Sequence, residues 1–272
     1  MAVISSLIPL IPFNSEPVVP ISSKVDDSAQ DVQKTVARII TVALIFFGFL
    51  TVVGIPFAVL GMHLAYSSSK LSSARVYSVG NHDLPSGRKI MFVNGIGNKK
   101  KHAEYNAKRL SEYAEGAKVS LIHNATHGIV PDIFECALGI PTYPAKLLKQ
   151  QWHEFFKNGS EQKLLVVCHS GGAIHVLNAL LETEESIRNN ILVVAIAPAV
   201  IIPKTLCGKV YNYTNDKDFV TDLDVTGNIK NKSHLIQLPG DPNVRWDHAF
   251  SNRTFKEVLK KHTLNYIAFG NL

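Results

Sequence analysis

A serine, a carboxylate and an imidazole, each set where an apolar run breaks, are the residues of this 272-residue chain best suited to chemistry. Ser170 ends the run Leu164-Leu165-Val166-Val167-Cys168-His169 and opens onto Gly171-Gly172-Ala173, where a helical pattern begins. A serine on such a strand-to-helix turn holds its hydroxyl clear of the sheet while the next backbone amides face the same spot. An alcohol placed there can attack an acyl carbon beside a waiting anion site. That chemistry needs a base, and an acid to orient the base. Asp218 stands in the acidic turn that follows a strand pattern at 209–213 and is favoured because Phe219-Val220 follow it, with Asp216 as the alternative. Each could instead be a turn former bonding its own backbone. His248 lies in a loop at 240–250, just ahead of the last amphipathic segment, where a base can reach back to the serine. Of the other ten histidines, His169 is turned away from the serine by the strand pleat. His123 and His127 flank another strand end, and His175 is assigned to packing of the helix that follows the serine.

The elements that must position these groups alternate. From Lys89 onward the pattern predicts strands at 89–93, 118–123, 163–168, 191–196, 209–213 and 234–238, and helices at 99–115, 144–157, 171–183 and 251–266. Residues 164–167 and 191–196 are apolar on both faces, as strands covered by helices on each side must be. The expected fold is therefore α/β, a mostly parallel sheet flanked by helices, and 76–79 has the pattern of a further edge strand. Roughly 185 residues suffice for one well-buried domain, here 89–272, and not for two.

The segment Cys168-His169-Ser170-Gly171-Gly172 is a variant of G-x-S-x-G. Gly172 meets the demand for a missing Cβ after the serine, whereas Cys168 replaces the first glycine and needs a small residue on the neighbouring strand. Together with the Asn94-Gly95-Ile96-Gly97 loop, the Asp218 turn and His248, this motif resembles a compact α/β-hydrolase core of the lipase, esterase or thioesterase type. The resemblance implies the chain order Ser170, Asp218, His248 as a catalytic triad and the amides of Ile96 and Gly171 as oxyanion donors. Asn94, Gly95, Gly97, His169 and Gly172 would then support the loop and the elbow. Asn94 stands where a histidine is common in such enzymes. A looser resemblance links the blocks Phe92-Val93-Asn94-Gly95-Ile96, Asn124-Ala125-Thr126-His127-Gly128 and Ala195-Ile196-Ala197-Pro198-Ala199 to a chlamydial membrane-associated family of unknown function.

The first third is different material. Residues 39–69 contain no Lys, Arg, Asp or Glu, and 39–66 are dominated by apolar side chains and glycine, more than the roughly 20 residues a bilayer-spanning helix needs. Gly54-Ile55-Pro56 divides this stretch, so a single tilted, kinked crossing and a hairpin in one leaflet both fit. Basic residues stand on both sides, Lys34 and Arg38 before and Lys70 and Arg75 after, so orientation is left open. Residues 1–38 read as a flexible tail and 67–88 as a linker containing the extra edge strand.

The formal charge of +6 includes Lys99-Lys100-Lys101 directly after the glycine loop, which reads as a solvated helix start or as a contact for an anionic headgroup. No module for nucleic acid is visible. Three cysteines without metal spacing point to a reducing compartment, and neither a cofactor nor a metal is expected. The apolar, proline-containing stretch 129–143 is the place expected to choose substrate, as a lid or acyl-binding wall. The expectation is a membrane-tethered serine hydrolase whose substrate is a lipid or acyl ester or thioester. The alternative is a non-catalytic membrane-anchored interaction protein that keeps the fold, and a nucleophilic Cys168 is disfavoured because it falls within the strand.

Overall fold

The computed structural model describes residues 75–95, 99–123, 142–157, 159 and 161–271. They form a seven-stranded sheet. In chain order the elements are β1 (Arg75–Val79), β2 (Arg88–Val93), α1 (Lys100–Tyr113), β3 (Val119–His123), α2 (Tyr143–Phe156), β4 (Lys163–His169), α3 (Gly172–Leu181), α4 (Glu185–Arg188), β5 (Ile191–Ile196), β6 (Lys209–Asn215), α5 (Val225–Asn231), β7 (Leu235–Leu238) and α6 (Arg253–Phe269). The strands lie in the order β1-β3-β2-β4-β5-β6-β7, and only β1 runs antiparallel to its neighbour.

The strands form where both faces can be buried. Ile90 and Phe92 of β2, with Leu165 and Val167 of β4, pack against Leu110 of α1 and Phe255 and Leu259 of α6. Their neighbours Met91, Val93, Leu164, Val166 and Cys168 point to the other face, onto Leu148 and Trp152 of α2 and Val176 of α3. This period-two division is why the two strands read as unbroken apolar runs. At the foot of the sheet the buried Tyr266 hydroxyl accepts from the Lys89 amide (3.1 Å) and reaches the Lys89 carbonyl (3.0 Å) and that of Lys163, so α6 is tied to β2 and β4.

The extra edge strand is β1, and the sheet begins at Arg75. The strand expected at 234–238 starts one residue later, because a 3-10 turn at Lys232–His234 precedes it, and the short helices α4 and α5 carry no long apolar stripe that would have announced them. The helix expected at 99–115 is α1, which starts at Lys100; Lys100 pairs with Glu104 at 3.5 Å. Among the described residues no helix is long and apolar enough to cross a membrane. The segment 39–66, the tail 1–38 and residues 124–141 lie outside the described residues, so the membrane and lid expectations are not addressed by the fold.

After β2 the chain crosses to β3 on one side and then to β4 on the other. In an open α/β sheet such a change of direction, beyond the carboxyl ends of β2 and β4, is the usual place for a ligand. The Asn94-Gly95 turn and Ser170 both sit there.

Candidate active site

Ser170 follows the last residue of β4 with φ at 53°, a left-handed conformation that costs an ordinary side chain roughly 1–2 kcal/mol. The turn is pinned from several sides. The Ser170 amide donates to the Ile196 carbonyl (3.1 Å), and the Ser170 carbonyl accepts from Ala173 and Ala199 (3.1 Å each). Gly172 is required by close approach, since a Cβ there would lie 2.6 Å from the Val93 carbonyl oxygen. Gly95 is required by the serine itself, because its Cβ would stand 2.7 Å from the Ser170 Cβ. Cys168 is accommodated for the reason its size suggests. It sits between Val93 and Ala195 in the sheet register, so the strand on one flank is small, and burial raises its thiol pKa far above the usual value. A thiol held protonated inside a strand is no nucleophile.

His248 Nε2 lies 3.0 Å from Ser170 Oγ, and His248 Nδ1 lies 2.9 Å from Asp218 Oδ2. The Asp218 side chain is fully buried and the His248 side chain is 15% exposed. A buried carboxylate beside Nδ1 selects the tautomer in which Nδ1 donates, which leaves Nε2 free to accept from the serine hydroxyl. The other Asp218 oxygen accepts from the Val220 amide at 3.0 Å and cannot swing away without losing it. Asp216 is engaged elsewhere, where it accepts from the Gly240 amide at 2.7 Å.

Sequence reasoning missed several residues that hold His248. Asp247, fully buried, accepts through its carboxylate from the Asp241 amide (2.8 Å), from Asn252 Nδ2 (2.6 Å) and from the Thr254 hydroxyl. Its carbonyl accepts from Asn215 Nδ2 at 2.6 Å. The loop before α6 is thereby fastened to the helix start and to the end of β6. His169, on the α6 face of β4, donates from Nε2 to the His248 carbonyl at 2.8 Å, and burial lowers its pKa to about 3, so it stays neutral. Trp246 stacks on the His248 ring at 5.2 Å and 7°, and also on the Phe219 ring at 5.4 Å. The only linear signal for Asp247 and Trp246 was adjacency to His248.

Gly171 caps α3 directly after the serine, and its amide has no hydrogen-bond partner among the described residues, as an anion donor requires. Asn94 is fully buried, and its side-chain amide donates to the Gly95 carbonyl (2.8 Å), shaping the facing turn. Ile96 and Gly97 lie outside the described residues, as does His127. His123 ends β3 beside the Tyr77 ring, and His175 is buried against Thr142 at 2.8 Å. Among the described residues no group of His, Cys, Asp and Glu could hold a metal ion.

No family model and no curated protein matches the chain. Solved structures that are similar to it include an alpha-beta serine hydrolase homologue from Coxiella burnetii (14% identity, 68% of this chain and 89% of that one, TM-score 0.42). Est1E from Butyrivibrio proteoclasticus (14%, 72% and 100%, TM-score 0.47) and a dienelactone hydrolase from Anabaena variabilis (14%, 72% and 99%, TM-score 0.44) are others. At this distance such likeness transfers no activity or substrate. The fold is established by the chain's own sheet order, by the left-handed serine between β4 and α3, and by loops after β6 and before α6 that meet it: it is of the α/β-hydrolase type.

Proposed function

We propose that this chain is a membrane-tethered serine hydrolase that cleaves an ester or thioester, with Ser170 as nucleophile, His248 as general base and acid, and Asp218 as the group that orients His248. The observation that carries the reading is the single imidazole bridging hydroxyl and carboxylate at 3.0 and 2.9 Å, already within proton-transfer distance without a ligand.

In this mechanism Ser170 Oγ forms a bond to the substrate carbonyl carbon while its proton passes to His248 Nε2. The imidazolium is balanced by the buried Asp218 carboxylate. The carbonyl electrons move onto oxygen, and the resulting oxyanion is met by the Gly171 amide and by a second donor from the loop after β2, for which Ile96 has the expected place. As the tetrahedral species collapses, the carbon–oxygen or carbon–sulfur bond breaks and His248 gives its proton to the leaving alcohol or thiol. Water then adds to the acyl-serine, its proton passing to His248 and on to Ser170 Oγ as the acid is released. Nothing in this cycle needs a cofactor.

The test is labelling of the full chain with a fluorophosphonate, which traps an activated serine. Wild type should label and Ser170→Ala should not. Absence of labelling in folded wild type would instead support a non-catalytic scaffold.

A further inference from the structure

The direction of β1 decides which edge of the sheet the N-terminal segment reaches. Because β1 runs against β3, it pairs Arg75 with His123 and Val79 with Val119. His123 ends its strand, so Arg75 lies at the carboxyl edge of the parallel strands, the same edge that carries Gly95, Ser170 and Asp218. The uncharged stretch 39–66 ends nine residues before Arg75, a length that reaches at most about 30 Å when fully extended. A parallel first strand would have begun at the far edge and spent most of that reach crossing the depth of the sheet.

The exposed apolar side chains agree with this. Phe219 (42% exposed) and Leu223 (69%) follow the carboxyl end of β6, and Tyr143 (48%) starts α2, whose first residues lie beside His175 in α3 near the same edge. Lys99, Lys100 and Lys101, all exposed, open α1 there as well. The exposed carboxylates Asp216 and Asp222 stand among them, so the surface is apolar first and only weakly basic.

We propose that this catalytic edge rests on the bilayer that takes up residues 39–66, and that the substrate is an acyl ester lying in that same bilayer. The inference rests on the serine-hydrolase reading above. It commits the surface to lipid rather than to a protein partner, because the chain's own membrane-length segment ends within reach of it.

The full chain should be reconstituted into vesicles of phosphatidylcholine with a minor share of phosphatidylglycerol. In a Cys136→Ser background, where the remaining cysteines Cys168 and Cys207 are buried, a polarity-sensitive fluorophore is attached at Leu223→Cys or, separately, at Phe269→Cys. Phe269 is 78% exposed at the end of α6, toward the opposite edge. Blue-shifted emission at 223 but not at 269 is expected; a shift at 269 alone, or at neither, overturns the proposal. Turnover of a fluorogenic acyl ester embedded in the vesicles should fall about tenfold or more in Leu223→Asp, while a water-soluble short-chain ester is cleaved as before. Wild type that cleaves the soluble ester but not the embedded one, or Leu223→Asp that cleaves both as wild type does, overturns the bilayer inference and leaves the hydrolase intact. Loss of both, with no fluorophosphonate uptake, means that the hydrolase reading itself has failed, and the fluorophore then reports the orientation alone.

Discussion

At the scale of single residues, histidines that look alike in the chain behave differently because of where their ring nitrogens end up. His248 keeps one nitrogen on a buried carboxylate and the other on a hydroxyl, so it can carry a proton between states. His169 and His175 sit in the interior as neutral groups, with pKa values lowered by burial to about 3 and about 4. That burial has a consequence for stability. Because their folded-state values lie below the ordinary imidazole value of about 6.5, the unfolded chain takes up these protons first. Stability from this source is therefore constant above about pH 6.5 and falls below it, by up to about 1.4 kcal/mol per pH unit for each histidine. The fall should end near pH 4 for His175 and near pH 3 for His169. Urea midpoints measured across that range should show the slope, and His175→Gln should flatten it by one proton's worth whatever it does to stability at neutral pH.

At the scale of elements, the site is two turns facing one another, held by strands that cannot move apart. The elbow between β4 and α3 is fixed by contacts that glycine alone tolerates. The loop before α6 that carries His248 is fixed by Asp247, which gathers three donors from the loop and the helix start. Asp247 touches no reacting atom, so its part is positioning. Asp247→Asn turns one acceptor toward groups that are themselves donors, which should cost about 1–3 kcal/mol of stability. It should also lower kcat by up to about a hundredfold, the effect of a small misplacement of His248, with KM nearly unchanged. Ester turnover by this variant, normalised to folded protein, separates the two effects. A fall in folded fraction alone would make Asp247 structural only. Cys168 belongs to this scale too: its tolerance in place of glycine depends on Ala195 across the sheet, a residue far away in sequence.

At the scale of the whole molecule, the two edges of the sheet have different work. The carboxyl edge carries the turns that meet at Ser170, while the amino edge is where α6 is anchored through Tyr266. Tyr266→Phe leaves the packing but strips the buried backbone groups of Lys89 and Lys163 of a partner, at a cost of about 1–3 kcal/mol. Thermal or urea unfolding should show that loss, whereas fluorophosphonate uptake per folded molecule should match wild type, because nothing at the opposite edge has changed.

Much of this architecture was legible in the amino acids in order. The alternation of apolar runs and amphipathic segments predicted the parallel sheet because strands buried on both faces have no other way to be written, and the serine turn announced itself through Gly171 and Gly172. The choice of Asp218 over Asp216 and of His248 over its rivals followed from position relative to strand ends. What the linear order left out were Asp247, Asn215, Asn252, Thr254 and the stacked pair Phe219 and Trp246. Polar and aromatic residues in loops have no periodicity, and their partners are decided only when separate loops arrive at one place. The antiparallel direction of β1 was likewise a tertiary decision, made by pairing with β3 across more than forty residues of chain. Local composition determines which segments become strands and turns; the side on which they meet is set by packing, which no single segment contains.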